Sequence, residues 1–346
     1  MIYRRLSTVA LAVMVAIVAP PLAGCAEEEG VTTLRWATSS TGSAGYRAKA
    51  GLMAVLNREM DDYRIDVVPT SGAVATIRGY ALGEYDGYYG ADIAFRELAE
   101  GRGRFAGFAE RVQRQPVQSF WAFTMEVGLV IRAADADRYM SWADLGDRAV
   151  FTGPAAWDVR AQLERAMATL EVGHRYRELD TGLAGSELSR GGLDAFIAYT
   201  AGEASLPPWV AEAEGATDVV VLNPSESERQ RLRDAGMEVV SIDPGVFRSD
   251  VEAPVYFVPF FYGFHLGLEV PAEDVYRMLT IIERRAGDLA ETDAVFAQIA
   301  ADMPAMQRRG VAAAGDSVPV HPGLARYMRE RGVWDEAWDG RVAEMP

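Results

Sequence analysis

Residues 41–57, TGSAGYRAKAGLMAVLN, set a turn of small residues directly ahead of a helical run. Leu52, Met53, Leu56 and Met60 recur at the spacing that places them on one helix face. Upstream, LRWAT (34–38) reads as a short apolar strand. The unit is therefore strand, turn and helix, with open backbone amides at the helix start. Such a turn can hold a phosphate, another anion, or only its own chain. A dinucleotide loop needs G-x-G-x-x-G after the strand, and a P-loop needs a lysine followed by Ser or Thr. Here Gly42 and Gly45 stand as G-x-x-G and no such lysine follows, which argues against the nucleotide readings.

Working outward, the same unit recurs. YRIDVVP (63–69) alternates as a second strand, TSG (70–72) turns, and Val74, Ile77 and Leu82 mark a second helix. GEYDGYY (83–89) is a turn feeding a third strand, and 91–101 reads as helical. EVGLVIRA (126–133) is a long apolar strand at which the chain crosses into a second domain. There the segment 142–170 gives a helix, a strand (148–152), a Gly-Pro turn and a helix, and GLDAFIAYT (192–200) and TDVVVLN (217–223) add strands. The aromatic alternation of 255–270 predicts a return strand, followed by helices over 272–287, 292–302 and 323–332. The expected fold class is α/β with two lobes, 34–128 plus 250–346 and 129–249, hinged by two crossings. The cleft between such lobes is a preferred place for a small ligand.

Composition narrows the function. A net charge of −16 over 346 residues argues against a nucleic-acid partner or an anionic membrane surface. The basic residues are almost all arginine, Lys49 being the one lysine. The single cysteine, Cys25, leaves no intramolecular disulfide and no cysteine-based zinc cluster. It closes a segment with Arg4 and Arg5, an apolar run over 9–19 and the box LAGC (22–25), which resembles a bacterial lipoprotein cleavage site. The expectation is a signal peptide over 1–24, lipidation of Cys25, a polar tether over 25–33 and an extracytoplasmic, membrane-anchored domain. His174, His265 and His321 are scattered without metal-ligand spacing, and neither Ser43 nor Ser71 sits in G-x-S-x-G. No cofactor, metal or catalytic residue is expected.

The turns together resemble one family. TGSAGYRAKAGLMAVLN, TSGAVATIRGYALGEYDGYYGADIA, TGPAAWDVR and HPGLARYMRERGVW, in that order, are similar to the TAXI solute-binding subunits of TRAP transporters. The resemblance implies a type II periplasmic-binding fold, a monomer, and capture of a small carboxylate-bearing organic solute for delivery to a TRAP permease. It also implies a pocket built on Thr41, Gly42, Ser43, Ser71, Gly72, Gly153 and Pro154, whose turns match the family. Amides and hydroxyls at these helix starts favour a carboxylate. Other positions depart from the family's pattern. Arg47 follows Tyr46, Gly90 and Ala91 precede Asp92, and Ala155, Ala156, Trp157 and Asp158 replace a Gly-Ser-Gly-Thr type of turn. Glutamate as the ligand is thereby put in doubt. Three readings follow. Tyr46, Tyr88, Tyr89 and Trp157 wall the pocket while Asp158 meets an amine or hydroxyl; or Arg47 or Arg160 clamps a carboxylate; or the aromatics are core and the charges surface. A sensor input subunit for a histidine kinase, or an enzyme using the same cleft, is the alternative function.

Overall fold

The computed structural model describes residues 30–41, 43–247 and 254–346. The signal segment, Cys25 and Gly42 lie outside the described residues. β1 (Thr32–Thr38) and β2 (Tyr63–Pro69) pair in parallel from Thr32↔Tyr63 to Thr38↔Pro69. β1 thus begins inside the stretch expected as tether. Between them α1 (Ala44–Glu59) buries Leu52, Met53 and Leu56, the stripe its spacing announced. α2 (Ala73–Ala81), β3 (Gly87–Ala91) and α3 (Asp92–Ala99) complete the first α/β unit.

β4 (Trp121–Arg132) is twelve residues long and buried nearly throughout. The second unit follows: β5 (Ala149–Phe151), α4 (Asp158–Thr169), β6 (Arg175–Tyr176), α5 (Ala184–Ser189), β7 (Ala195–Ala201), α6 (Pro208–Ala216), β8 (Val219–Leu222), α7 (Glu226–Asp234) and β9 (Val240–Ile242). The helix expected ahead of β5 is a single 3-10 turn, Trp142–Leu145. β10 (Val255–Leu266) returns, and α8 (Ala272–Thr292), α9 (Ala297–Ala314) and α10 (Pro322–Glu330) pack over the first unit and the central strands. α9 runs beyond the expected end at residue 302. Asp302 leaves the helical region two residues before Pro304, and its carboxylate caps the restart by accepting from the Ala305 N–H at 2.8 Å.

The sheet order is β2-β1-β3-β10-β4-β7-β5-β6, with β8 on β4 and β9 on β10. β4 and β10 are antiparallel and belong to both units. This is the two-lobed α/β arrangement expected from the sequence. The division expected at residue 128 falls within β4, and the one at 249 falls in 248–253, outside the described residues.

One edge of β10 loses its ladder in the middle. Residues 255–257 pair with β9 and 262–266 with β3, so Pro259 and Phe261 face no strand on that side. Buried backbone groups need partners. Asp92, at the start of α3, accepts the Phe261 N–H at 2.8 Å, and Gln162 of α4 donates to the Pro259 carbonyl at 2.9 Å. Pro259 has no N–H to lose, which is why a proline is tolerated inside this strand.

Among the ionisable groups that folding buries, Lys49 and Glu126 stand out. Lys49 of α1 is fully buried, its Nζ 3.1 Å from the centre of the Trp36 ring and without a hydrogen bond among the described residues. Burial pushes its pKa well below the ordinary lysine value. Glu126 of β4 accepts from the Thr200 hydroxyl at 2.5 Å and the Glu203 N–H at 3.0 Å, and also bonds Thr124. Burial outweighs these bonds and raises its carboxyl from 4.5 to about 7.

Between those two pH values the folded chain holds a proton that the unfolded chain has released. The stability tied to Glu126 is therefore full below pH 4.5 and is lost as pH rises through about 7. Glu126→Gln should remove this slope and stabilise the fold at pH 8 by up to roughly 3 kcal/mol. Melting curves of both proteins from pH 4 to 8 check it; parallel curves would refute it.

Candidate functional site

β1, β2, β5 and β7 each end at a turn that leads into a helix, and these four turns converge on one cavity of about 230 Å³. From the first unit come the β1–α1 turn with Ser39, Ser40 and Ser43, and the β2–α2 turn with Ser71 and Gly72. From the second come the start of α4, Ala156–Val159, and the start of α6, Ser205–Trp209. Tyr89 of β3, Met125 of β4 and Tyr262 of β10 form the floor, and the two tyrosine rings stack at 4.4 Å and 7°.

Helix starts leave backbone amides without intrahelical partners. Ser43 spends its hydroxyl on one of them: Oγ accepts the Tyr46 N–H at 3.1 Å and shares a 2.6 Å bond with Ser39 Oγ. α2 and α4 have no side-chain cap, and the residues at their starts, Gly72, Ala73, Trp157, Asp158 and Val159, line the cavity. Gly72 takes φ +152, a left-handed value that suits glycine. At Gly45 a β-carbon would stand 2.8 Å from Tyr89, so a side chain there would drive α1 off the floor.

Of the residues singled out in the sequence, Ser43, Arg47, Ser71, Gly72, Tyr89, Trp157 and Asp158 line this cavity. Thr41, Tyr46, Gly153 and Pro154 do not; the Gly153 carbonyl accepts from the Tyr176 hydroxyl at 3.0 Å. Asp92 is buried against β10, where it accepts from the strand edge, and it lines a second cavity rather than this one. Tyr88 alternates inward from Tyr89, and its hydroxyl bonds the Val117 carbonyl in the core. Arg160 stacks over Tyr176 at 3.5 Å and pairs with Glu164 at 3.5 Å, which leaves Arg47 as the cationic side chain on the cavity wall. No ion pair engages Arg47 among the described residues.

None of the three histidines lines the cavity. His321 caps α10 by accepting the Gly323 N–H at 3.1 Å, and burial lowers its pKa to about 4. His265 accepts the Ser119 N–H at 3.1 Å inside the core.

A family profile described as the NMT1-like family matches residues 36–332, which takes in both α/β units. The chain belongs to the NMT1-like family. No curated protein matches it in sequence. Among solved structures, MatC from Rhodopseudomonas palustris with bound malate is 14% identical, with 86% of this chain and 98% of that one covered and a TM-score of 0.46. The periplasmic aliphatic sulphonate binding protein of Escherichia coli is 14% identical over 86% of this chain and 82% of its own, with a TM-score of 0.39. A probable amino-acid ABC transporter extracellular-binding protein from Bacillus subtilis is 11% identical over 79% and 97%, with a TM-score of 0.43.

In this NMT1-like protein the wall formed by SLPPW (205–209) was not singled out from sequence, although it follows a recognisable strand just as the other three turns do. Its two prolines set the start of α6, and Trp209 donates to Tyr199 at 3.3 Å beside the floor. The signal was the repeated position after a strand, rather than the residue types.

Asp158 is already engaged. Arg104, in the 3-10 turn after α3, donates to it at 2.5 Å, binds Glu97 at 2.7 Å, and reaches the Ala156 carbonyl at 3.3 Å. The Tyr262 hydroxyl takes the other Asp158 oxygen. Burial disfavours the Arg104 charge, but Asp158 and Glu97 outweigh it and hold the guanidinium above its ordinary pKa. Burial, reinforced by Asp158, keeps Tyr262 protonated well above the usual phenol range. This chain of charges ties the first unit to the second across the cleft.

Removing one member of a buried pair strands the other's charge. Arg104→Met should cost about 3 kcal/mol. Adding Asp158→Asn should recover much of that loss, because the amide oxygen still accepts from Tyr262. Urea melts of the single and double variants test this, and strictly additive losses would show that the pair is not coupled.

Proposed function

We propose that this chain is an extracytoplasmic receptor that binds a small carboxylate-bearing organic solute in the cleft between its two α/β units. The observation that carries the reading is the convergence of helix N-termini from both units, with Arg47 and an aromatic floor, on one cavity. Helix starts contribute positive potential and free N–H donors, and a guanidinium adds a bidentate match to a carboxylate. The stacked Tyr89 and Tyr262, with Trp157 and Trp209, supply apolar area for the rest of the solute. At about 230 Å³ the cavity falls below the roughly 300–1,000 Å³ of drug-sized sites, which favours a small molecule. Commitment of Asp158 to Arg104 and Tyr262 speaks against its serving a ligand amine.

A binding role without turnover is supported by the wall itself. Its carboxylate is Asp158, held in an ion pair, and its tyrosines Tyr89, Tyr199 and Tyr262 are kept protonated by burial. The motif series resembling TAXI subunits favours delivery of the solute to a TRAP permease, with the protein acting as a monomer tethered through lipidated Cys25. Closure about β4 and β10 would then present the loaded shape to the membrane partner.

Isothermal titration of the soluble domain with mono- and dicarboxylates, amino acids and sulfonates should find a one-to-one complex with a carboxylate, and the solute should be recovered unchanged. Arg47→Gln should weaken it roughly ten- to a hundred-fold, the worth of one charge-assisted hydrogen bond. Conversion of the solute, or the absence of binding across all the carboxylates, would overturn the proposal.

A further inference from the structure

A second cavity, of about 330 Å³, opens where β10 has lost its strand partner. Phe261 lines it, whereas its neighbour Tyr262 lines the cleft, as successive strand residues face opposite ways. Its walls come from both units: α3 and α9 on one side, α4 and the loop after α7 on the other. In a chain with net charge −16 this wall is basic, carrying four arginines against the two carboxylates Asp92 and Glu238.

The arginines are not all consumed by the fold. Arg309 pairs with Glu238 at 2.7 Å, and Arg96 donates to the Ala313 carbonyl while its Nε stays buried without a partner. The side chains of Arg165 and Arg308 make no hydrogen bond or ion pair among the described residues. Burial and the nearby Arg96 charge depress the Arg165 pKa, with Asp92 opposing and Arg102 adding to the effect. Unpaired guanidinia crowded together repel one another and are relieved by an anion. The wall also offers an acceptor: Gln162 is 2% exposed, its amide nitrogen is held by Pro259, and its Oε1 has no partner among the described residues.

We propose that this cavity is a second ligand site, for a hydrogen phosphate or the phosphate of a small phosphomonoester, bound through Arg165 and Arg308 with Arg96 beside them. A dianion matches the two excess positive charges of the wall. A tetrahedral group presents oxygens to guanidinia arriving from α3, α4 and α9 at once. The P–OH of hydrogen phosphate can donate to Gln162 Oε1, which sulfate at neutral pH cannot do. Because the walls belong to different units, the anion would bridge them beside the hinge.

Titration of the soluble domain with inorganic phosphate, methyl phosphate and sulfate tests this. Phosphate is expected to bind with a dissociation constant below about 1 mM and at least ten-fold more tightly than sulfate. Methyl phosphate keeps no P–OH as its dianion, so binding of inorganic phosphate in preference to it marks free phosphate as the ligand; the reverse order marks a phosphomonoester held by the arginines and overturns the contact to Gln162 Oε1. Arg165→Gln/Arg308→Gln should weaken binding at least ten-fold with the fold intact by circular dichroism. Arg308→Gln alone, at an exposed position, should weaken it measurably should the double variant fail to fold. Absence of phosphate binding below 10 mM, equal binding of sulfate, or indifference to Arg308→Gln overturns the assignment. So does a loss caused equally by Arg47→Gln, which would put the phosphate in the cleft.

Discussion

The two long strands at the centre are antiparallel neighbours that both α/β units must share, and the rest of the molecule is organised around the gap this leaves on β10. Along one edge β10 pairs first with β9 of the second unit and then with β3 of the first, and no strand covers the residues between. Between β9 and β3 its backbone must therefore find other partners. It finds one side chain from each unit, Asp92 and Gln162, at 2.8 and 2.9 Å. Two side-chain bonds can tilt where a ladder would have to break.

The cleft follows from the same topology. Parallel strands on each side of the shared pair end at one edge, and each hands over to a helix there. The N-termini then point inward without any need for a buried cation, and the residues of the turns only adjust what the backbone already offers. Ser43 illustrates the limit of reading such residues from a motif. Its hydroxyl is taken up by Tyr46 and Ser39, so its contribution to the cleft is mainly the geometry of the turn.

Most of the fold was legible because hydrophobic spacing reports burial directly. β2 was expected over the residues that form it, and the α1 stripe is the buried stripe. Three of the four turns around the cavity could be named as well, since glycine and serine ahead of a periodic run mark a helix start. What sequence could not supply was orientation and pairing. Tyr88 and Tyr89 are chemically alike, and only strand parity sends one to the core and the other to the cleft. Asp92 and Asp158 both looked available, but their partners, Phe261 and Arg104, stand 169 and 54 residues away in the chain. The prolines of 205–209 carried no polar donor to draw the eye, yet they bring a whole wall into place.

The single lysine gives the molecule a built-in reporter. Lys49 projects from the buried face of α1 against Trp36, fully enclosed. An amine-reactive reagent or a lysine-specific protease thus finds no side-chain target on the folded first unit. Separation of α1 from the sheet creates one, at a single known position. The modification rate at Lys49 therefore measures how often this unit opens, with no label introduced and no other side chain to confuse the count.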